Sequence, residues 1–583
     1  MHHRSHLDGV ADARWVLTSG ALFSGQAARR GLYALLFACG LAQAVLVYMW
    51  APWIKAWLLF HALYVPGTAA LVLALARAER ASPAPRRAVP AVLLGGFVAA
   101  VVIGQAAMQA YSISADEYGY GYLADTFLHG RLWNEPLPDE IRDAFKTHYI
   151  TDRDGKRVSQ YAPGWPAVLA VFKLAGLAEV ANALLGLLAA VLLWLCLRRV
   201  PAAPGARVAA LALGALAPFT LFNNASFYTH TLTATALLAV LWLDLRDAET
   251  PSVWNRAGIG FAFSVLLVTR YEAFLIAFAL FALDGLVRKR ARFIAWAWPA
   301  AVAGLPLVAA LLWYNWSITG NPLQTTLSWA SPWLSYGPYS RGVDGQHSPA
   351  RGLFNVLVWG MRWHDFACVL LLPLYAVALR RRVASGTVRW FDLLLPGFVV
   401  FFFFFPDDGG LQHGPRYFYL AHAAMPVTLA AGFAAAGGAK GVARGGTGDG
   451  LWRLGRWTLD PVRLAAAQLC AFAGFSLGYA ATVYQDVELR LTPPRVAATA
   501  PAPAVVLVTT DNQYRLSWQR DAALIVAEDY TRHGLDGFGP VAVGVYTNDR
   551  RARELCAQMP DRRVFRLILR GAPPVGHLEP VCE

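Results

Sequence analysis

Long apolar runs, broken by short polar or Gly- and Pro-containing stretches, fill the chain from Gly31 to about residue 484. A bilayer crossing needs roughly 20 apolar residues. Thirteen candidate spans centre near residues 41, 64, 100, 188, 214, 237, 262, 279, 303, 372, 398, 427 and 471. Several are short or interrupted, so the pattern predicts an all-α polytopic membrane protein of about 11–13 transmembrane helices. The segment 163–177 is too short for a crossing and is expected as a helix at the surface. After residue 485 the pattern changes. Three β-rich runs, Ala504 to Thr509, Val541 to Thr547 and Arg563 to Leu569, alternate with polar stretches, and a helical pattern covers Trp518 to Tyr530. This predicts two domains: residues 1–484 in the membrane, and a small soluble α/β domain over 485–583. The Pro/Ala-rich stretch Pro493 to Pro503 links them.

Composition agrees with the pattern. Of 583 residues, 57% are hydrophobic and 15% charged, whereas soluble domains carry about 25% charged residues. The net charge of +14 does not signal nucleic-acid binding. Its arginines sit at the ends of apolar runs, as Arg29-Arg30, Arg86-Arg87, Arg198-Arg199, Arg288-Lys289-Arg290 and Arg380-Arg381-Arg382. That is the positive-inside arrangement, which orients helices. It predicts a multi-pass membrane protein with a cytoplasmic N-terminus and the C-terminal domain on the opposite side; the Ala/Arg/Gly-rich composition suggests a bacterial source, hence an inner membrane with that domain in the periplasm. Residues 1–28 lack a cleavable-signal pattern, so the run Gly31 to Trp50 is expected to act as signal and anchor.

On the outer side this orientation collects the loops 113–162 and 314–352, the short turns at Tyr228-Thr229-His230 and Arg270-Tyr271-Glu272, and the turn 406–416. Cys556 and Cys582 also lie on that side, where a disulfide between them is chemically permitted and expected. Cys39, Cys196, Cys368 and Cys470 lie in or near spans and read as packing residues. Neither a CxxC motif nor a Cys/His cluster with zinc spacing occurs, so no structural metal is expected.

The candidate chemistry gathers on the same face. The acid pair Asp116-Glu117, set among Tyr118, Tyr120 and Tyr122, follows the apolar run Val89 to Ser114. The loop behind it turns at Asp154-Gly155 and returns at Gln160-Tyr161-Ala162-Pro163-Gly164-Trp165-Pro166, whose prolines and glycine enforce a rigid re-entry. Arg416, in Gly414-Pro415-Arg416-Tyr417, opens a later span beside Asp407, Asp408 and His413, where a guanidinium can hold an anionic phosphate. Arg270 and Glu272 are two residues apart, a spacing that places them in a turn. His230 is a weaker candidate. The aromatic and amide residues from Trp313 to Leu323, with Tyr314-Asn315 near their start, suit contacts with sugar rings and equally suit an interfacial aromatic belt. There is neither a GxGxxG after a strand nor a Walker pattern, so nothing points to a soluble nucleotide donor.

In this order, these elements resemble the C-type membrane glycosyltransferases of the family 39 group. That group includes protein O-mannosyltransferases and bacterial enzymes that put aminoarabinose on lipid A. The matching pieces are Asp116-Glu117 with Ala124 and Gly130, Tyr161 to Pro166, Arg270-Tyr271-Glu272, Tyr314-Asn315 to Gly320-Asn321-Pro322-Leu323, and Arg416-Tyr417, spread over residues 90–440. The resemblance implies a polyprenyl-phosphate sugar donor and an inverting transfer to an acceptor hydroxyl on a glycan, lipid or protein. It makes Asp116 the general base beside Glu117, and places the donor phosphate near Arg416 or Arg270. Tyr161, His230, Tyr417, Glu272 and Asn315 would bind substrate. The aminoarabinose transferases carry Tyr-Glu-Lys-Pro at the re-entry, where the acid helps bind a metal and the lysine meets the donor phosphate. Here the run reads Tyr161-Ala162-Pro163, so a divalent metal and lipid A as acceptor have no support in these residues. Two other classes stay open on sequence alone: a polyprenyl-lipid or sugar transporter, and a non-catalytic envelope assembly factor.

Overall fold

The computed structural model describes residues 26–50, 54–83, 85–145, 147, 149–290, 292–331, 341–342, 345–367, 370–405, 412–434, 451–454, 457–509, 539–570 and 575–582. The run Ser335 to Tyr339, the pair Asp407-Asp408 and the helix expected over Trp518 to Tyr530 lie outside the described residues.

Helices dominate, and each of the thirteen expected centres falls within one. Among the described residues, five helices are by themselves long and apolar enough to cross a membrane: Ala88–Ala107, Ala178–Leu197, Phe293–Thr319, Arg416–Ala434 and Pro461–Ala497. The pair Pro204–Ala215 and Pro218–Ala225, bent by 49°, is a sixth if taken as one span. Pro218 starts its second helix, where a missing N–H costs nothing, and so sets the bend. The helix Pro349–Phe366 has no counterpart among the thirteen. Its polar residues break the apolar run, and only a stripe carrying Trp359, Trp363 and Phe366 is buried. The re-entry forms the short helix Gly164–Leu174, with Val171 and Leu174 exposed.

Close backbone approach holds the bundle together. A Cβ placed on Gly40 would lie 2.1 Å from the Ala471 carbonyl oxygen, and one on Gly474 would lie 2.0 Å from that of Phe37. Small residues thus let Gln26–Trp50 and Pro461–Ala497 pack main chain against main chain, the mode that replaces hydrophobic drive within lipid. Large apolar side chains face outward instead, among them Ile294, Trp298, Val302 and Leu305 along Arg292–Thr319.

Two arginines near the ends of apolar runs also take part in packing. Arg382 meets the fully buried Asp392 at 2.7 Å, and Arg389 bridges Asp244 at 2.9 Å and Asp284 at 3.0 Å. Sequence spacing hides these pairs because their partners come from different helices.

The final long helix runs unbroken through the 484/485 boundary and through Pro493-Pro494 to Ala497. Its last turn packs beneath a four-stranded sheet, where Ala497 joins Ala504, Val506 and Leu567. The strand order is Val575–Pro580, Arg563–Arg570, Ala504–Val508, Val541–Val545. Ala504–Val508 lies parallel to both its neighbours and is buried at every residue, which explains its continuous apolar run. Three strands match the β-rich runs. The fourth, Val575–Pro580, has a weak β composition and gains its structure by antiparallel pairing with Arg563–Arg570. The helix Asp549–Gln558, unforeseen in its polar stretch, starts where the Asn548 side chain accepts the Arg551 N–H at 2.9 Å. Cys556 and Cys582 are joined by a disulfide.

Two predictions follow from this packing. Replacing Asp392 by Ala strands the Arg382 charge, an effect worth about 3–5 kcal/mol, and is expected to lower the unfolding midpoint in detergent sharply. A thiol titration of denatured, unreduced protein is expected to find four reactive groups, since six cysteines are present and two are bridged.

Candidate active site

The span Ala88–Ala107 ends in a π-helical turn, and two left-handed residues, Gln109 (φ 52°) and Ala110 (φ 50°), stop it. The chain then enters the helix Ala115–Leu128 through a capping box. The Ser114 hydroxyl accepts the Glu117 N–H at 3.2 Å, while the Glu117 carboxylate accepts the Ser114 N–H at 3.0 Å. The second carboxylate oxygen of Glu117 accepts the Phe227 N–H at 2.8 Å. Glu117 is buried, and that burial pushes its carboxyl above the ordinary range against the pull of these N–H donors. Its oxygens tie the helix start to the turn 226–229.

Asp116, one residue earlier, points elsewhere. Arg416 donates to one of its carboxylate oxygens at 2.8 Å, and the Tyr161 hydroxyl donates to the other. Burial and the charge of Asp116 hold the Tyr161 hydroxyl well above the usual phenol range, so it keeps its proton and remains a donor. The ring of Tyr161 reaches this position because residue 119 is glycine: a Cβ there would meet that ring at 2.7 Å.

The loop 113–162 returns through an antiparallel hairpin, Ile150–Arg153 with Lys156–Ser159. Asp154 (φ 51°) and Gly155 (φ 72°) both adopt the left-handed region, the two-residue turn that Asp-Gly favours. Lys156 donates to the carbonyls of Ser317 and Ile318, each at 2.8 Å, and Thr326 donates to that of Gln160 at 2.9 Å. The end of Phe293–Thr319 and the segment following it therefore buttress the loop 113–162.

Arg416 arrives from the opposite side. His413 (φ 58°) and Gly414 (φ 102°) turn the chain through left-handed conformations immediately before Pro415. Asn223 donates to the His413 carbonyl at 3.2 Å, fixing this turn to the bent helix pair. The Arg416 guanidinium stacks 4.2 Å from the centre of the Tyr228 ring, a cation–π contact.

Arg270 is the single non-helical residue between Val253–Thr269 and Tyr271–Lys289. It bonds Glu272 at 2.7 Å, contacts the buried His230, and lies 5.6 Å from the centre of the Tyr417 ring.

Most of these groups meet at one solvent-connected cavity of about 220 Å³. Asp116, Tyr161, His230, Arg270, Glu272, Arg416 and Tyr417, all expected from the sequence, stand on its wall. Glu117 and Asn315 do not line it. Glu117 is occupied as a cap, and the buried Asn315 donates to the Pro322 carbonyl at 3.2 Å, holding the turn that follows its helix. Tyr120, Tyr149 and Tyr271 line the cavity without having been singled out. Tyr120 had a visible signal in the tyrosine cluster after Asp116, whereas Tyr149 lies in mid-loop with none. Among the described residues, no three His, Cys, Asp or Glu side chains converge as a metal site would require.

No protein-family model matches the chain, and no curated protein matches it. Among solved structures, the chain is similar to ArnT from Cupriavidus metallidurans in the apo state, at 14% identity over 82% of this chain and 92% of that one, with a TM-score of 0.49. It is similar to the same protein bound to undecaprenyl phosphate, at 13% identity over 82% and 93%, with a TM-score of 0.48. It is also similar to the Archaeoglobus fulgidus oligosaccharyltransferase in the apo form, at 12% identity over 82% and 69%, with a TM-score of 0.43.

Replacing Glu117 by Ala leaves the Ser114 and Phe227 N–H groups unmet, at about 1–3 kcal/mol each. It is expected to lower the unfolding midpoint in detergent.

Proposed function

We propose that this chain is an inverting membrane glycosyltransferase that moves a sugar from a polyprenyl-phosphate donor to an acceptor hydroxyl on a glycan, lipid or protein. One observation carries the reading. A carboxylate, Asp116, is held between a phenol and a buried guanidinium in a solvent-connected cavity that contains a second guanidinium, Arg270. A cavity with one aimed carboxylate and two cations suits a substrate that presents both a hydroxyl to deprotonate and a phosphate to release.

In the proposed reaction the acceptor oxygen attacks the anomeric carbon as Asp116 takes its proton, a step that contributes typically 10²–10⁴-fold. The bond from that carbon to the phosphate oxygen breaks, and the electron pair leaves with the polyprenyl phosphate. Arg416 and Arg270 stabilise the charge that builds there. The Asp116–Arg416 pair gives this order a physical basis. A phosphate that draws on the Arg416 donors weakens their hold on Asp116 and restores that carboxylate as a proton acceptor. His230, Glu272, Tyr161 and Tyr417 are assigned to binding and orienting the substrate. Glu117 and Asn315 are assigned to holding the backbone that carries the site.

The arginine pattern supports a bacterial inner-membrane location with the cavity and the C-terminal domain on the periplasmic side. Membrane lipids are its surroundings, and nucleic acid is not proposed as a partner.

The test is transfer of isotope-labelled sugar from synthetic polyprenyl-phosphate donors by the purified protein. Asp116→Asn is expected to lower turnover at least 100-fold with donor binding retained. Arg416→Lys, which keeps the charge and loses the fork, is expected chiefly to weaken donor binding. Near-normal transfer by Asp116→Asn rules out the base assignment.

A further inference from the structure

The loop that carries Tyr161 is built partly into the C-terminal domain. Phe145 stands among polar residues, yet it is fully buried, packed with Ile141 against Val505, Leu507, Ala542 and Leu555 of that domain. The Val545 N–H donates to the Ala144 carbonyl at 2.8 Å, joining the loop to the end of the edge strand Val541–Val545. Cys556, one half of the disulfide, packs on this same cluster.

From that anchor, polar contacts lead to the cavity. Arg142 approaches Asp152 at 3.7 Å, Asp152 pairs with Arg157 at 3.1 Å, and Arg157 donates to the Thr147 hydroxyl at 3.4 Å. Two residues later comes Tyr149, whose φ of 62° is a left-handed conformation that a bulky side chain rarely adopts. Bonds on either side hold it there: Ile150 N–H to the Thr147 carbonyl at 3.3 Å, and Gln160 N–H to the Tyr149 carbonyl at 3.1 Å. In this conformation Tyr149 lines the cavity with Asp116, its ring edge-on to Tyr161 at 5.8 Å between centres. Rare backbone conformations persist where the surroundings over-determine them, and they concentrate at working sites. An aromatic wall is the surface that takes the apolar face of a bound ring.

We propose that Tyr149 is a substrate-contact residue for the sugar, and that the C-terminal domain sets its position through Phe145, a positioning residue. The contact role rests on the transfer reading given above; the positioning role rests on the packing alone.

The experiment uses the full chain in detergent. Hydrogen exchange over 149–161 is expected to quicken at least tenfold in Phe145→Ala, with the membrane helices unchanged and the rate recovered in Phe145→Leu. Reduction of the Cys556–Cys582 bridge loosens the same cradle without a substitution and is expected to act in the same direction. In Tyr149→Gly, a residue that accepts the left-handed conformation freely, the unfolding midpoint is expected to equal or exceed that of wild type. Affinity for undecaprenyl phosphate carrying glucose, mannose or arabinose is expected to fall at least tenfold for whichever binds, while affinity for bare undecaprenyl phosphate is unchanged. Unaltered exchange over 149–161 after both the Phe145→Ala change and reduction overturns the positioning role. Undiminished glycosylated-lipid binding by Tyr149→Gly overturns the contact role. If wild type binds none of these lipids, the transfer reading and the contact role fail together, and the exchange result still decides the role of Phe145.

Discussion

An ion pair between Asp116 and Arg416, 2.8 Å apart in a cavity where the arginine is buried and the acid nearly so, is the constraint around which the cavity end of the bundle is arranged. A buried pair is costly to assemble, because both charges leave water, and costlier still to break by removing one partner. Each member must therefore be delivered with little freedom. The capping box and Glu117 fix the acid. The left-handed turn at His413-Gly414, tied to Asn223, fixes the arginine. Tyr161 and Tyr228 complete the enclosure, one through its hydroxyl and the other through its ring.

The adjacent acids divide the labour by orientation. Residues 116 and 117 sit about 100° apart around a helix, so at its first turn one carboxylate faces the cavity while the other faces inward to the turn 226–229. Asp116 meets a guanidinium and a phenol. Glu117 meets backbone N–H groups and caps the helix. Two similar side chains thus acquire different chemistry from where the helix begins, and Ser114 sets that beginning.

The loop 113–162, the segment after Phe293–Thr319 and the C-terminal domain form a continuous support. Pro461–Ala497 carries the domain directly on the membrane bundle, the domain buries Phe145, and the hairpin beyond Phe145 presents Tyr161 to Asp116. On the opposite side of the bundle, by the proposed orientation, Arg382 and Arg389 neutralise Asp392, Asp244 and Asp284. Their positions at the ends of apolar runs satisfy the topological rule, and their partners make them part of the packing as well.

The helical membrane architecture was legible in the linear order of residues because hydrocarbon demands long apolar runs and their ends attract arginine; both are local properties. The Asp154-Gly155 hairpin turn and three of the four sheet strands were legible for the same reason, since turn chemistry and β-rich runs act over a few neighbours. Seven of the candidate site residues line the cavity, and they could be named because charged or aromatic groups at span ends stand out against an apolar background. What only the tertiary structure decided was their pairing. Asp116 and Arg416 are 300 positions apart, and nothing local specifies that a helix start and a distant turn meet. The same applies to Tyr149, whose place in the cavity comes from a strained backbone and an anchor in another domain, and to Asn315, whose amide N–H donates to the carbonyl of Pro322 in the turn after its helix.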